Sequence, residues 1–113
     1  MARLLAGSEA GTARLFISAI NVGEVYCFLR KQHSEKLSEW WCESSRTLPV
    51  TIEVPTADDI WDAALLKGQY PIAYADAFAA ALALKRRCPL LTGDPELRSI
   101  EDLDLDWIGR AMP

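Results

Sequence analysis

Three carboxylates, Glu24, Asp76 and Asp94, stand where apolar strand-like runs give way to helical ones, and two hydroxyls, Ser18 and Thr92, lie close to them in sequence. Hard divalent cations take oxygen ligands, and magnesium commonly uses one or two carboxylates while waters and substrate phosphates complete its shell. A cation held in this way polarises a phosphodiester and acidifies a bound water into a nucleophile. Ser18 can orient Glu24, and Thr92 can orient Asp94 or a metal-bound water. Each acid also has an ordinary structural use: Asp94 before Pro95 suits a helix N-cap, Asp76 suits the first turn of a helix, and Glu24 suits a solvated surface. The spacing of these residues by itself implies an α/β domain with an acidic pocket.

The elements that must position the acids are clearest between Pro71 and Asp94, PIAYADAFAAALALKRRCPLLTGD. The run from Ala73 to Arg87 reads as a helix, with Phe78, Ala79, Leu82 and Ala83 forming an apolar face and Asp76 in the opening turn. Lys85, Arg86 and Arg87 load its last turn with positive charge, as the helix dipole favours. Pro89 stops the helix. Leu90, Leu91 and Thr92 then suit a short buried parallel strand, and Gly93-Asp94-Pro95-Glu96 starts a new helix with proline at its first position. In open parallel sheets, chemistry gathers beyond the carboxyl ends of the strands, where Asp94 falls.

Upstream, residues 3–5 read as a helix end and 7–11 as a turn. Leu15 to Ala19 is a compact strand, and Asn21 is the expected cap of a helix whose core stripe is Val22, Val25, Tyr26 and Leu29. Glu24 falls in the first turn of that helix. Ser34 caps a second helix with Leu37, Trp40 and Trp41 on its apolar side, a spacing that favours packing over nucleobase stacking. Leu48 to Val54 reads as a strand, and Thr56-x-x-Asp59 as a capping box for a helix carrying Ile60, Trp61, Ala64 and Leu65. A short helix from Glu96 to Ile100 and an edge strand from Leu103 to Ile108 close the chain. Strands alternating with helices imply an α/β sandwich with a mainly parallel sheet.

The chain of 113 residues is half hydrophobic and fits a single domain over 1–113. Its net charge of -4 argues against a general polyanion-binding surface. Arg30, Lys31, Arg86 and Arg87 remain candidate phosphate contacts, although cations at helix ends also serve the dipole. Three scattered cysteines and one histidine give neither a zinc motif nor a disulfide framework, and this usage suits a reducing cytosol. No apolar run reaches the roughly 20 residues of a membrane helix.

The segments FISAINVGEV and YADAFAAALALKRRCPLLTGDPEL, followed by DLDW, together resemble the PIN domain, in particular the VapC-type toxin ribonucleases of toxin–antitoxin pairs. The resemblance covers nearly the whole chain. It implies a three-layer α/β/α fold, a magnesium or manganese cofactor, and endonucleolytic cleavage of single-stranded RNA. It makes Glu24, Asp76 and Asp94 the acidic metal site, with Thr92 as a supporting hydroxyl. It also implies homodimers and a small antitoxin that covers the site. The family opens with a short central strand ending in a metal-ligand aspartate, which this sequence lacks, and Glu9 is a poor substitute. The expectation is therefore a domain N-terminally truncated relative to the family, its first central strand missing. It is either a metal-dependent ribonuclease or a catalytically silent interaction domain that binds a partner or dimerises.

Overall fold

The computed structural model describes residues 14–32 and 34–107. It divides into two compact units, Met1–Val54 and Pro55–Pro113. The expected features of residues 1–13, Glu9 included, and the end of the final strand at Ile108 lie outside the described residues.

In the first unit, strand β1 (Phe16–Ser18) runs without a loop into helix α1 (Ala19–Gln32), which is followed by α2 (Glu35–Ser44) and β2 (Thr51–Glu53). The two strands pair in parallel, with Phe16 opposite Thr51, Ile17 opposite Ile52 and Ser18 opposite Glu53. A parallel pair requires a crossover, and the α1–α2 hairpin supplies it. The helix begins two residues before the expected cap. Ser18 rather than Asn21 serves its start, its Oγ accepting the Ile20 N–H at 3.3 Å. Ser34 caps α2 as its sequence predicts, accepting the Leu37 N–H at 3.0 Å. The indole Nε1 of Trp41 donates to the Val22 carbonyl at 2.9 Å and pins α2 to α1. The expected apolar side of α2 is split, because Trp41 packs inward while Trp40 is 60% exposed.

In the second unit, α3 (Ala57–Gln69) and α4 (Tyr74–Arg86) form an antiparallel hairpin, followed by β3 (Leu90–Thr92), a 3-10 turn (Pro95–Ser99) and β4 (Leu105–Trp107). The predicted capping box is present: Asp59 N–H donates to Thr56 Oγ1 at 3.2 Å, and Thr56 N–H donates to Asp59 Oδ2 at 2.8 Å. The strands β3 and β4 are parallel, with Leu90 opposite Leu105 and Thr92 opposite Trp107. Ala63, Ile72, Ala77, Phe78, Ala80, Leu97 and Ile100 form the buried cluster. Three alanines in it let α3 and α4 approach closely, and Ile72, Phe78, Leu97 and Ile100 supply its large apolar side chains, each about 1.5–3 kcal/mol when fully buried.

The buried faces of this hairpin differ from the expected ones. On α3, Ala63 is buried and Leu66 half-buried, whereas Trp61 is 73% and Leu65 62% exposed. On α4, Ala77, Phe78, Ala80 and Ala83 are buried, while Ala79 and Leu82 are half-buried. Small residues won the tightest positions because close packing of two helices selects for the absence of bulk.

Candidate acidic site

Asp76 and Asp94 both belong to the second unit. Asp76 is the third residue of α4, half-buried in a first turn whose N-cap, Ala73, makes no side-chain bond. The amide groups at that helix start therefore carry their positive partial charge toward an acid in the first turn. Asp94 follows β3 and caps the 3-10 turn, its Oδ1 accepting the Glu96 N–H at 2.9 Å. Thr92, the last residue of β3, accepts the Asp94 N–H on Oγ1 at 3.0 Å, so its hydroxyl fixes the backbone from which the aspartate projects. Ala77 and Phe78, which follow Asp76, lie in the same buried cluster as Leu97 of the turn that Asp94 caps. One core thus anchors the elements bearing both acids.

Glu24 and Ser18 belong to the first unit. Since α1 begins at Ala19, Glu24 falls in its second turn rather than its first, and it is exposed. Ser18 is buried at the end of β1, and its hydroxyl is used at the helix start. The sequence pattern missed Glu53. It ends β2 directly opposite Ser18, but a strand expected to run from Leu48 to Val54 concealed that a carboxylate closes it. Pro55, two residues later, was the available signal for an early strand end.

The expected phosphate contacts differ in their surroundings. Arg30 is tied to α2, with Glu35 at 3.5 Å and Glu39 at 3.6 Å, and Tyr26 Oη donates to Glu39 Oε1 at 2.8 Å. Lys31, Arg86 and Arg87 are exposed. Arg87 adopts a left-handed conformation (φ 52°) that ends α4, its N–H reaching the Ala83 and Leu84 carbonyls. A cavity of about 300 Å³ lined by Ala83, Leu84, Arg87, Cys88, Asp102 and Asp104 lies at this carboxyl end of α4, whereas Asp76 is at the amino end. It is not the acidic site.

The acids supply oxygen donors alone, which in kind fits a hard divalent cation, and a pair such as Asp76 and Asp94 matches what magnesium takes from a protein when substrate phosphates complete its shell. Among the described residues no group of three or more His, Cys, Asp or Glu side chains is gathered to hold a metal. The fit thus lies in donor type and placement at helix starts, with few protein ligands.

The PIN-domain family model matches residues 2–103. The chain belongs to the PIN-domain family. PIN domains are generally divalent-metal-dependent nucleases. Among solved structures, the chain is similar to one from the crystal structure of VapBC2 from Rickettsia felis bound to a DNA fragment from their promoter. That likeness has a TM-score of 0.72 at 16% identity and covers 93% of this chain and 81% of the other, which shows a shared fold. Comparison with curated proteins gives no significant match. The parallel strand pairs and helical hairpins described above are thus those of a PIN-like α/β fold.

Proposed function

We propose that this PIN-domain chain is a metal-dependent endoribonuclease acting on single-stranded RNA, the toxin of a toxin–antitoxin pair. The observation that carries the reading is the placement of Asp76 and Asp94 at two helix starts anchored on one core, in a chain whose family match runs over residues 2–103. In this reading Asp76 and Asp94 hold magnesium or manganese, and Glu24 joins them by its place in the family order. The cation supplies Lewis acidity and an acidified water when bound. Thr92 holds the Asp94 turn in place, and the exposed Lys31, Arg86 and Arg87 attract the RNA phosphates. A small antitoxin and a second copy of the chain are the proposed protein partners, and three free cysteines suit a reducing cytoplasm. No helix among the described residues is long and apolar enough to cross a membrane.

The test is cleavage of a mixed set of labelled single-stranded RNAs with manganese, using this chain beside its Asp94→Asn variant. Cleavage by the parent chain alone supports the reading, and cleavage by neither refutes activity in this chain. A second reading, a silent PIN-like domain that binds a partner or dimerises, is favoured by the absence of a three-acid group among the described residues. Absence of manganese binding together with tight capture of an antitoxin-derived peptide selects it.

A further inference from the structure

Tyr74 opens α4 two residues before Asp76, so an aromatic ring and an acid of the proposed metal site share one helical turn. The ring is 48% exposed, although tyrosine has a large apolar body to bury. It is nonetheless held in place. Its centroid lies 5.0 Å from that of Phe78, one turn further on, and the two rings meet edge to face at 83°. Phe78 is itself buried and belongs to the core cluster, so a fixed core residue braces an exposed ring.

Tyr70 shows what a structural tyrosine does in the same unit. It packs against the buried cluster, and its hydroxyl accepts the Glu101 N–H at 3.5 Å. Tyr74 is not among the side chains packed on that cluster, and its hydroxyl makes no hydrogen bond among the described residues. The other exposed aromatic of the α3–α4 hairpin, Trp61, lies at the opposite end, because Asp59, two residues before it, pairs at 3.0 Å with Lys85 in the last turn of α4. Tyr74 is therefore the aromatic that the hairpin places at the end of α4 bearing Asp76. A half-exposed ring whose orientation is already fixed is a stacking platform for a nucleobase, since every base has a π-face to offer it. Side chains two residues apart leave a helix on different sides, so the stacked base belongs to a nucleotide flanking the phosphate held at Asp76.

We propose that Tyr74 is a base-stacking residue for single-stranded RNA, receiving the base of a nucleotide next to the one cleaved, with Phe78 holding the ring in position. This rests on the ribonuclease reading above and adds to it how the strand is gripped and its register set.

Binding of a short labelled single-stranded RNA to the full chain is measured by fluorescence anisotropy, with calcium in place of manganese and the RNA checked to be intact. Tyr74→Ala is expected to weaken binding about tenfold, the scale of losing one stacked base. Tyr74→Phe, which keeps the ring and loses only the hydroxyl, is expected to bind as the parent does. A single abasic position is then stepped along the RNA. At the stacked nucleotide it is expected to cost the parent about tenfold and Tyr74→Ala little, a coupling that a purely structural role would not produce. Circular dichroism melts accompany each variant, and should Tyr74→Ala not fold, Tyr74→Leu takes its place. Should the parent cleave RNA yet bind it too weakly for anisotropy, the same comparisons of kcat/KM with manganese decide. Unchanged values in the folded variant, or an equal abasic loss in parent and variant at every position, overturn the proposal and leave the ribonuclease reading intact. A parent chain that neither binds nor cleaves RNA overturns both.

Discussion

Thr92 Oγ1 accepts the backbone N–H of Asp94 at 3.0 Å, while the carboxylate of Asp94 accepts the N–H of Glu96 at 2.9 Å. The hydroxyl and the acid are therefore successive links in one turn, and the first sets where the second points. Thr92→Val keeps the shape and removes the bond. It is expected to cost about 1 kcal/mol of stability and to reduce RNA cleavage by roughly tenfold, since a misplaced catalytic group loses rate steeply. Thr92→Ser is expected to retain both. Initial cleavage rates and urea midpoints of the two variants check this, and equal rates in Thr92→Val and the parent would refute the positioning role.

Asp94 has a second use as a cap, and the two uses separate by substitution. Asparagine caps about as well as aspartate, so Asp94→Asn is expected to hold stability within about 0.5 kcal/mol of the parent. Its carboxylate charge is lost, and metal-dependent cleavage is expected to fall by at least a hundredfold. Asp76→Asn is expected to do the same to activity. Thermal melts beside cleavage rates test the separation, and a large stability loss in Asp94→Asn would mean that the turn requires the charge itself.

These two acids were legible because local rules expose them: the Asp-Pro pair marks a cap, and an acid in a first turn needs only a helix after it. The Thr56–Asp59 box and the Ser34 cap were legible for the same reason. What local rules could not supply was which helical face is buried. Large apolar residues at Trp61 and Leu65 outweighed alanines in the pattern, yet the close approach of α3 and α4 selects Ala63, Ala77 and Ala80. Glu53 was hidden likewise, because strand length depends on pairing with β1, a contact between segments far apart in sequence.

The α3–α4 hairpin gains a pH-dependent contribution from Asp59. The Thr56 backbone N–H, and after it the Lys85 ammonium at 3.0 Å, hold the Asp59 carboxyl below its ordinary value of 3.8. A lowered folded-state value means that the contribution is fully present above the unfolded value and is lost as pH falls through the folded one. Stability should therefore decline below about pH 3.8 more steeply in the parent than in Asp59→Asn. Lys85 is half-exposed, so Lys85→Met is expected to cost less than about 1 kcal/mol at neutral pH. Urea midpoints from pH 5 to pH 2.5 measure both effects, and parallel profiles for parent and Asp59→Asn would contradict the assignment.

Arg87 couples a backbone requirement to a candidate phosphate contact, and glycine separates them. Its φ of 52° closes α4, with the Cys88 N–H reaching the Ala83 carbonyl at 3.1 Å as the helix ends. A side chain is disfavoured in that conformation, so Arg87→Gly is expected to stabilise the chain by about 1 kcal/mol. The same change removes one cation from the surface. If Arg87 contacts the RNA backbone, affinity for a single-stranded RNA should fall and the slope of log affinity against log salt should flatten by about 0.7, the single-strand value per phosphate contact. Arg30→Ala is the contrast: Glu35 and Glu39 hold that guanidinium, so its loss should leave the slope nearly unchanged. Fluorescence anisotropy of a labelled RNA across a salt series measures both variants. A flattened slope in Arg30→Ala with none in Arg87→Gly would place the RNA path on the α1–α2 hairpin rather than at the end of α4.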